Sequence, residues 1–400
     1  MTKESVKELP ELNIGVVGHI DHGKTTLLSK LTGKFTDTHS EELKRGITIK
    51  LGYAEMIIYD DNGNFNNEKI GKPVRYISFI DSPGHEMLMA TMLSGAAIID
   101  SAILVIAANE GIKPQTKEHF MALQAKKIKN IIIVQNKIDL VSKEKALENY
   151  KEIKEFVKGT TAENSPVIPI SAQQGVNIGK LLKALWEIPI PERDKTKKPI
   201  FIIARSFDIN RPGTEIKNIH GGILGGILKE GNLKVGEEIE IKPGIAIKRN
   251  NQYIHEPVTT KIISIQKGDL KVNEVFPGAS ISIETELDPF MTKTDSLTGS
   301  VASTKGNLPD IMSKVKIKAE LFKEVLGKET KDKVTELKTK EMLMLSVNTT
   351  ITVGTVEKIS GDIVEMNLNI PIIGITKDNV GIARNINGHW RLIGFGEIVR

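Results

Sequence analysis

A single loop motif, Gly18-His-Ile-Asp-His-Gly-Lys-Thr25, decides the fold of this chain. Its pattern of glycine, four residues, glycine, lysine and threonine is typical of a loop that wraps a phosphate. Residues 12–17 before it are apolar like a buried strand, and residues 24–31 after it have a helical pattern. Because backbone N–H groups and a helix N-terminus attract phosphate charge, the residues expected to contact a nucleotide are Asp21, His22, Gly23, Lys24, Thr25 and Thr26.

The surrounding sequence alternates between short apolar runs and helical stretches. Strands are predicted at residues 12–17, 53–59, 75–80, 102–107, 131–135 and 167–170. Helices are predicted at residues 24–31, 86–93, 115–125, 143–157 and 178–186. Continuous apolar runs are typical of strands buried on both faces, so we expect an α/β domain with a doubly wound, mostly parallel sheet.

Beyond this domain the pattern changes to strands alone. Residues 188–199 are rich in proline and charge and predict a linker. Short strands with glycine turns follow at residues 200–207, 222–229, 237–242, 259–266 and 280–285, and a second strand series spans 314–399. This pattern favours β-barrels. We therefore predict a nucleotide-binding domain at 1–198, a β-barrel at 199–309 and another at 310–400.

Composition excludes several classes of chemistry. The 400 residues include 55 Lys and Arg, 50 Asp and Glu, and no cysteine. Disulfides, cysteine-ligated zinc, iron–sulfur clusters and thiol nucleophiles are therefore excluded. The charged N-terminus has no apolar core segment, and no apolar run reaches the ~20 residues of a membrane helix. We expect a soluble protein in the reducing cytoplasm, with no zinc and no membrane partner.

The base of the nucleotide is predicted from Asn136-Lys-Ile-Asp139, which follows the apolar run at residues 131–135. The Asp139 carboxylate can accept two hydrogen bonds from guanine N1 and N2, and adenine has no such pair of donors. Lys137 can lie over the base, while Asn136 holds the loop. Ser171, Ala172 and Gln173 follow another predicted strand and offer a backbone N–H to guanine O6. The sequence thus favours GTP over ATP.

The sequence also predicts ligands for Mg²⁺ and a contact to the terminal phosphate. The Thr25 hydroxyl is expected to ligate the ion, and Asp81 to hold it through a water. Thr48 is the candidate second hydroxyl ligand, with a plain strand-edge threonine as the alternative. The Gly84 N–H is expected to contact the γ-phosphate, because glycine lets the backbone approach closely. Two segments that release after hydrolysis make a conformational switch.

For two residues the sequence leaves two roles open. His85 either orients or deprotonates the attacking water, or it caps the helix that follows. No arginine is obviously placed to stabilise the transition state, so we expect slow hydrolysis that a partner accelerates. Asp21 either shares a second cation with the Gly46 carbonyl or points outward as a turn former.

These motifs together resemble the translational GTPases, and within them the gamma-subunit family of archaeal translation initiation factor 2. The superfamily is indicated by the motifs of the first domain. The subfamily is indicated by the segments Ala204-Arg-Ser-Phe-Asp-Ile-Asn-Arg-Pro-Gly213 and Trp390-Arg-Leu-Ile-Gly-Phe-Gly396. The resemblance implies a GTPase domain followed by two β-barrels.

The resemblance further implies partners. They are methionylated initiator tRNA, the small ribosomal subunit, and alpha and beta subunits that complete a heterotrimer. Many members carry a four-cysteine zinc knuckle, but residues 60–69 here read Asp-Asp-Asn-Gly-Asn-Phe-Asn-Asn-Glu-Lys. We expect a polar loop there without zinc. Tyr53 either stacks on the terminal adenine of the tRNA or begins a half-buried strand.

Two other functions stay open from the sequence. One is an elongation-type carrier of aminoacyl-tRNA or selenocysteinyl-tRNA within the same superfamily. The other is a GTP-regulated binding module that contacts no tRNA.

Overall fold

The N-terminal part of the chain forms one seven-stranded sheet. The computed structural model describes residues 9–34, 51–82, 89–250, 252–325, 333–374 and 378–399. The strands of this sheet are β1 (Glu11–Gly18), β2 (Gly52–Asp61), β3 (Asn64–Asn66), β4 (Lys72–Asp81), β5 (Ser101–Ala107), β6 (Asn130–Asn136) and β7 (Val167–Pro169). Their order is β3-β2-β4-β1-β5-β6-β7.

Five of these strands run parallel. β4, β1, β5, β6 and β7 pair in parallel, whereas β2 is antiparallel to β4 and β3 to β2. The helices are α1 (Lys24–Thr32), α2 (Met89–Gly95), α3 (Pro114–Ala125), α4 (Lys143–Val157) and α5 (Ile178–Glu187). All seven residues of β5 are buried, as expected for a strand covered on both faces. The predicted mostly parallel α/β domain is confirmed.

Glycines define both ends of α1. Gly23 before it and Gly33 after it have φ angles of 89° and 70°, in the left-handed region that favours glycine. The Gly33 N–H donates to the Ser29 carbonyl and so completes the last turn. Leu27, Leu28 and Leu31 lie in the buried core, where each contributes roughly 2 kcal/mol of hydrophobic stabilisation. The phosphate-loop helix is thus anchored along its length.

The polar loop expected at residues 60–69 is instead the tip of a β-hairpin. β2 and β3 pair with Asp61 opposite Asn64, and the turn between them is Asn62-Gly63, with φ angles of 54° and 89°. Asn-Gly is the favoured two-residue hairpin turn because both positions need a positive φ. The expectation of a loop was wrong, because the Asn62-Gly63 turn lets the residues on either side of it pair as strands.

The hairpin is docked onto two helices of its domain. The rings of Phe65 and Trp186 lie 4.9 Å apart, and Trp186 belongs to α5. The Asn67 side-chain amide donates to the carbonyls of Lys30 and Leu31 at 3.2 and 2.8 Å. Those carbonyls belong to the last turn of α1, which has no partners within the helix for them. The hairpin therefore supports the end of α1 that lies away from the phosphate loop.

The next part of the chain is a closed barrel of six strands with short additions. Its strands are β8 (Ile200–Phe207), β9 (Ile223–Glu230), β10 (Leu233–Lys234), β11 (Glu238–Arg249), β12 (Gln252–Lys267), β13 (Leu270–Val272), β14 (Glu274–Val275), β15 (Ile281–Thr285) and β16 (Val301–Thr304). The order β11-β16-β8-β9-β15-β12 closes through pairing of β12 with β11. Apolar side chains of these strands share one core.

Strands β11 and β12 are longer than expected. The sequence predicts that the first ends at residue 242, before Pro243-Gly244, but pairing shifts there and resumes at Ile245. Gly244 has a φ of 86°, and a Cβ on it would lie 2.0 Å from the Glu256 carbonyl oxygen. The Pro-Gly pair thus marks a bulge within a strand, because glycine and proline are accommodated at such irregularities.

The last strands form a second closed barrel. They are β17 (Met312–Leu321), β18 (Met342–Val347), β19 (Thr350–Ser360), β20 (Ile363–Ile372), β21 (Asn379–Ile386) and β22 (His389–Val399), in the order β17-β20-β19-β18-β21-β22. With the first, it confirms the expected pair of β-barrels. By contacts the chain forms two compact units, and the first combines Met1–Pro191 with the segments Leu321–Thr335 and Ala383–Gly394. Among the described residues, none of the helices has the length and apolar character to span a bilayer.

Candidate nucleotide-binding site

The phosphate-loop motif joins β1 to α1 at the carboxyl edge of the parallel strands, the edge where open α/β sheets bind ligands. Two of its glycines are required by close neighbours. Gly18 has a φ of 143°, and a Cβ there would lie 2.4 Å from the Val105 carbonyl oxygen. A Cβ on Gly23 would lie 2.4 Å from the Asn136 side-chain nitrogen. The loop is therefore shaped by β5 and β6 as well as by its own sequence.

Three buried side chains hold the backbone of this loop. The Gly18 N–H donates to His119 Nδ1 at 3.0 Å, and Asn136 Nδ2 donates to the His22 carbonyl at 2.9 Å. His22 Nδ1 lies 3.2 Å from the Val105 carbonyl oxygen. Burial lowers the pKa of both histidines to about 3. Both rings are therefore neutral at physiological pH, with His22 Nδ1 as a donor and His119 Nδ1 as an acceptor.

Lys24 and Thr25 occupy the first turn of α1. Lys24 is buried, and its Nζ donates to the His19 carbonyl at 2.8 Å, so the ammonium lies inside the curve of the loop. The Thr25 hydroxyl donates to Asp81 Oδ2 at 3.2 Å, and Asp81 is fully buried at the end of β4. A hydroxyl and a carboxylate side by side are oxygen donors of the kind that Mg²⁺ prefers. Asp81 and Thr25 thus fit the expected ion.

On the base side, Asn136 joins two loops. Its Oδ1 accepts from the Ala172 N–H at 3.0 Å, while its amide nitrogen holds the phosphate loop. Lys137 follows with a φ of 61°, and its Nζ lies 3.4 Å from Glu110 Oε1. Asp139 and Gln173 are exposed, whereas Ser171 and Ala172 are buried. The structure therefore brings the two predicted base-binding segments together and leaves the Asp139 carboxylate open to a ligand.

The remaining predicted residues are placed differently. Asp21 is exposed with a φ of 61°, which is the geometry of the turn-forming alternative, and Thr26 is exposed on α1. Tyr53 is half-buried in β2 opposite Ile80, in the position of a strand residue. The expectations for Gly46, Thr48, Gly84 and His85 fall outside the described residues.

Sequence reasoning missed two residues of this site. Glu110 contacts Lys137 and lies 3.9 Å from His22 Nε2, and His119 accepts from the loop. Glu110 comes shortly after the buried strand β5, so its position at the carboxyl edge was a usable signal. His119 has no such signal, because it lies on a helix about a hundred residues from the loop that it contacts.

Family models match both ends of the chain. The Elongation factor Tu GTP binding domain matches residues 10–190, and Initiation factor eIF2 gamma, C terminal, matches residues 313–398. Translation initiation factor 2 subunit gamma of Methanococcus maripaludis is 52% identical over 403 residues, covering 97% of this chain and 98% of the relative. The chain belongs to the gamma-subunit family of translation initiation factor 2. Members from Methanocaldococcus jannaschii and Pyrococcus furiosus are each 50% identical, covering 100% and 97% of this chain and the same shares of the relatives.

Solved structures share the fold of this gamma-family chain. A bacterial selenocysteine-specific elongation factor matches 98% of the chain with a TM-score of 0.77, and the chain spans 58% of that protein. Elongation factor SelB of Methanococcus maripaludis, in complex with a GTP analogue, matches 98% of the chain and 79% of its own length with a TM-score of 0.72. Both are 24% identical, so this likeness shows the fold alone.

Membership in the gamma family makes the chain a GTPase of translation initiation, as its sequence resemblance implies. GTP and GDP are therefore its nucleotides, typically with Mg²⁺.

Proposed function

We propose that this chain, with GTP bound, carries methionylated initiator tRNA to the small ribosomal subunit and releases it after hydrolysis. The observation that supports this proposal is full-length identity of about half to curated gamma subunits of initiation factor 2. Alpha and beta subunits that complete a heterotrimer, and a partner that accelerates hydrolysis, belong to the same proposal. We place its action in the cytoplasm, where initiation occurs.

In the proposed site, the loop from Gly18 to Thr25 holds the phosphates. The Lys24 ammonium already points at a loop oxygen, the His19 carbonyl, and would exchange this contact for phosphate oxygens. The residues proposed to bind nucleotide are Asp21, His22, Gly23, Lys24, Thr25, Thr26, Gly84, Asn136, Lys137, Asp139, Ser171, Ala172 and Gln173. The electrostatic basis of this binding is attraction of the phosphates by the Lys24 ammonium and by the backbone N–H groups of the loop.

Thr25 and Asp81 would hold Mg²⁺, with Thr48 as a further proposed ligand. When bound, the ion neutralises charge that develops on the terminal phosphates. Asp81 is proposed to hold the ion through a water, and its buried carboxylate also accepts a hydrogen bond from the Thr25 hydroxyl. A second cation between Asp21 and Gly46 stays a prediction.

Guanine recognition is proposed to depend on Asp139. Asn136 fixes both the phosphate loop and the Ala172 segment, so the base and the phosphates are aligned by one buried side chain. His85 is proposed to orient or deprotonate the attacking water. The proposed domains are residues 1–198, 199–309 and 310–400, and Tyr53 is a candidate tRNA contact.

The test is retention of tRNA on a filter with GTP analogue or GDP, using the complete factor with its partner subunits. We expect strong retention of charged initiator tRNA with the GTP analogue, and weak retention with GDP, uncharged initiator tRNA or charged elongator tRNAs. Equal retention of elongator tRNAs would support an elongation-type carrier instead. The absence of any nucleotide-dependent retention would support a binding module without tRNA.

Two variants sharpen this test. Asp139→Asn weakens guanine binding, because an amide cannot accept both hydrogen bonds as a carboxylate does, so GTP-dependent retention should need far more nucleotide. His85→Ala should leave retention with GTP intact and slow the release that follows hydrolysis. Normal release in His85→Ala would remove this histidine from the mechanism.

A further inference from the structure

A series of buried contacts connects the last strand of the chain to the phosphate loop. Arg391 of β22 forms an ion pair with Glu118 of α3, with Nη1 and Oε1 3.0 Å apart. The next residue of α3, His119, accepts the hydrogen bond from the Gly18 N–H at 3.0 Å. All four residues lie within the first compact unit. Two successive residues of one helix therefore contact the barrel strand and the nucleotide loop.

The ion pair is well suited to fix the helix. The Glu118 side chain is fully buried and that of Arg391 is 8% exposed. A charge in such surroundings is stable only while its partner stays in place, because the protein interior solvates a lone charge poorly. Movement of β22 away from α3, or of α3 away from β22, is therefore strongly opposed.

The contact at the other end is equally constrained. Gly18 lies at the end of β1 with a φ of 143°, and its Cα faces the Val105 carbonyl oxygen so closely that no side chain fits. Its buried N–H therefore has little freedom to turn towards another acceptor. His119 is fully buried, and burial keeps its ring neutral, so Nδ1 is available as that acceptor. A shift of α3 would leave the Gly18 N–H without its partner.

We propose that the Glu118–Arg391 pair and the hydrogen bond from Gly18 to His119 act as one link, through which strand β22 slows the release of guanine nucleotide. Glu118, His119 and Arg391 are positioning residues in this link, because they act on the nucleotide only through the backbone of the phosphate loop. The inference rests on the proposed role of that loop. A ligand or partner that moves β22 would then change nucleotide exchange.

The experiment measures release of fluorescently labelled GDP and thermal unfolding for a set of variants. His119→Leu removes the acceptor, so we expect release to accelerate roughly tenfold or more. His119→Asn places an oxygen acceptor near the position of Nδ1 and should restore release towards the wild-type rate. Arg391→Met, which keeps an apolar stem, should accelerate release roughly fivefold because α3 is no longer fixed.

Non-additivity identifies the link. If both changes act through the Gly18 contact, release in His119→Leu/Arg391→Met is no faster than in His119→Leu alone. A multiplied effect overturns the link, and so does an unchanged release rate in Arg391→Met. If Arg391→Met fails to fold because this ion pair is broken, the Glu118→Gln/Arg391→Met variant removes both charges of the pair and gives the same test.

Two controls separate the link from other causes. Phe120, on the same helix, is fully buried against Phe156 and makes no hydrogen bond with the loop, so Phe120→Leu should lower the melting temperature without changing release. Lys24→Ala tests the loop itself and should weaken GDP binding. Wild-type affinity in Lys24→Ala contradicts the phosphate-loop assignment and the link together, whereas a normal Lys24→Ala defect with unchanged release in Arg391→Met overturns the link alone.

Discussion

The phosphate loop and the hairpin tip at residues 60–69 are both short, polar and rich in glycine or asparagine, yet they are held in opposite ways. The phosphate loop is fixed by His119 and Asn136, which are distant in sequence. The hairpin tip is shaped by its own asparagines, with Asn66 Oδ1 accepting from the Glu68 and Ile70 N–H groups. The conformation of the nucleotide-binding loop is thus determined by distant residues of the core, whereas the conformation of the hairpin tip is determined largely by hydrogen bonds among its own residues.

Among substitutions that remove a contact to either region, Asn136→Ala is expected to have the largest effect on GDP affinity and stability. It leaves the His22 carbonyl and the Ala172 N–H buried without this partner, at a cost of about 1–3 kcal/mol each. We expect GDP affinity to fall by on the order of a hundredfold and the free energy of unfolding to fall as well. Titration of labelled GDP and urea unfolding measure the two quantities.

The neighbouring residue provides the matched control for Asn136→Ala. Gln135 is also buried in β6, but its amide donates to the Ala146 carbonyl and to Asn149, away from both nucleotide loops. Gln135→Ala should lower stability with little change in GDP affinity. Equal losses of affinity in the two variants would contradict the assignment of a special role to Asn136.

A smaller effect is expected from lowering the pH. Acid should reduce the free energy of unfolding through His119 at the phosphate loop, and not through the hairpin tip. Burial lowers the pKa of His119 to about 3, against ~6.5 in the unfolded chain, so between these values the unfolded state binds more protons. Stability from this residue is complete above pH 6.5 and is lost as the pH falls towards 3. The loss amounts to about 2 kcal/mol by pH 5.

Urea unfolding at pH 7 and pH 5 measures this dependence. His119→Asn cannot titrate there, so its stability should fall by about 2 kcal/mol less than that of the wild type between the two pH values. Residues 60–69 contain no histidine, so the Asn67→Ala variant should keep the full dependence. An unchanged pH dependence in His119→Asn would show that this ring is not held neutral.

The sequence predicted most of what is determined locally. The bounds of α4 were predicted without error, because Ser142 caps the helix by accepting from the Lys145 N–H and the apolar pattern ends at Val157. Six of the seven strands of the first sheet were placed within three residues at each end, since buried runs are easily read, and the short strand β3 was not predicted. The nucleotide motifs also indicated which chemistry to expect at the carboxyl edge of the sheet.

What the sequence could not predict depends on the approach of distant segments. His119 and Arg391 become neighbours of the site only after α3 and β22 are packed, and single positions on a helix or strand carry no sign of this. The continuation of β11 beyond residue 242 was not predicted for a similar reason, because Pro-Gly occurs both at turns and at bulges and only the partner strand distinguishes them.

The smallest effect is expected on the hairpin side. Asn67→Ala removes the amide that caps the Lys30 and Leu31 carbonyls at the end of α1, and it should lower the free energy of unfolding by about 1 kcal/mol. GDP release should stay at the wild-type rate, because the other end of α1 is held by the core through Leu27 and Leu28. Asn64→Ala is the matched control, since that residue contributes its backbone carbonyl to Asn66. A faster release of GDP in Asn67→Ala would show that the hairpin, too, acts on the phosphate loop, and would remove the contrast between the two regions.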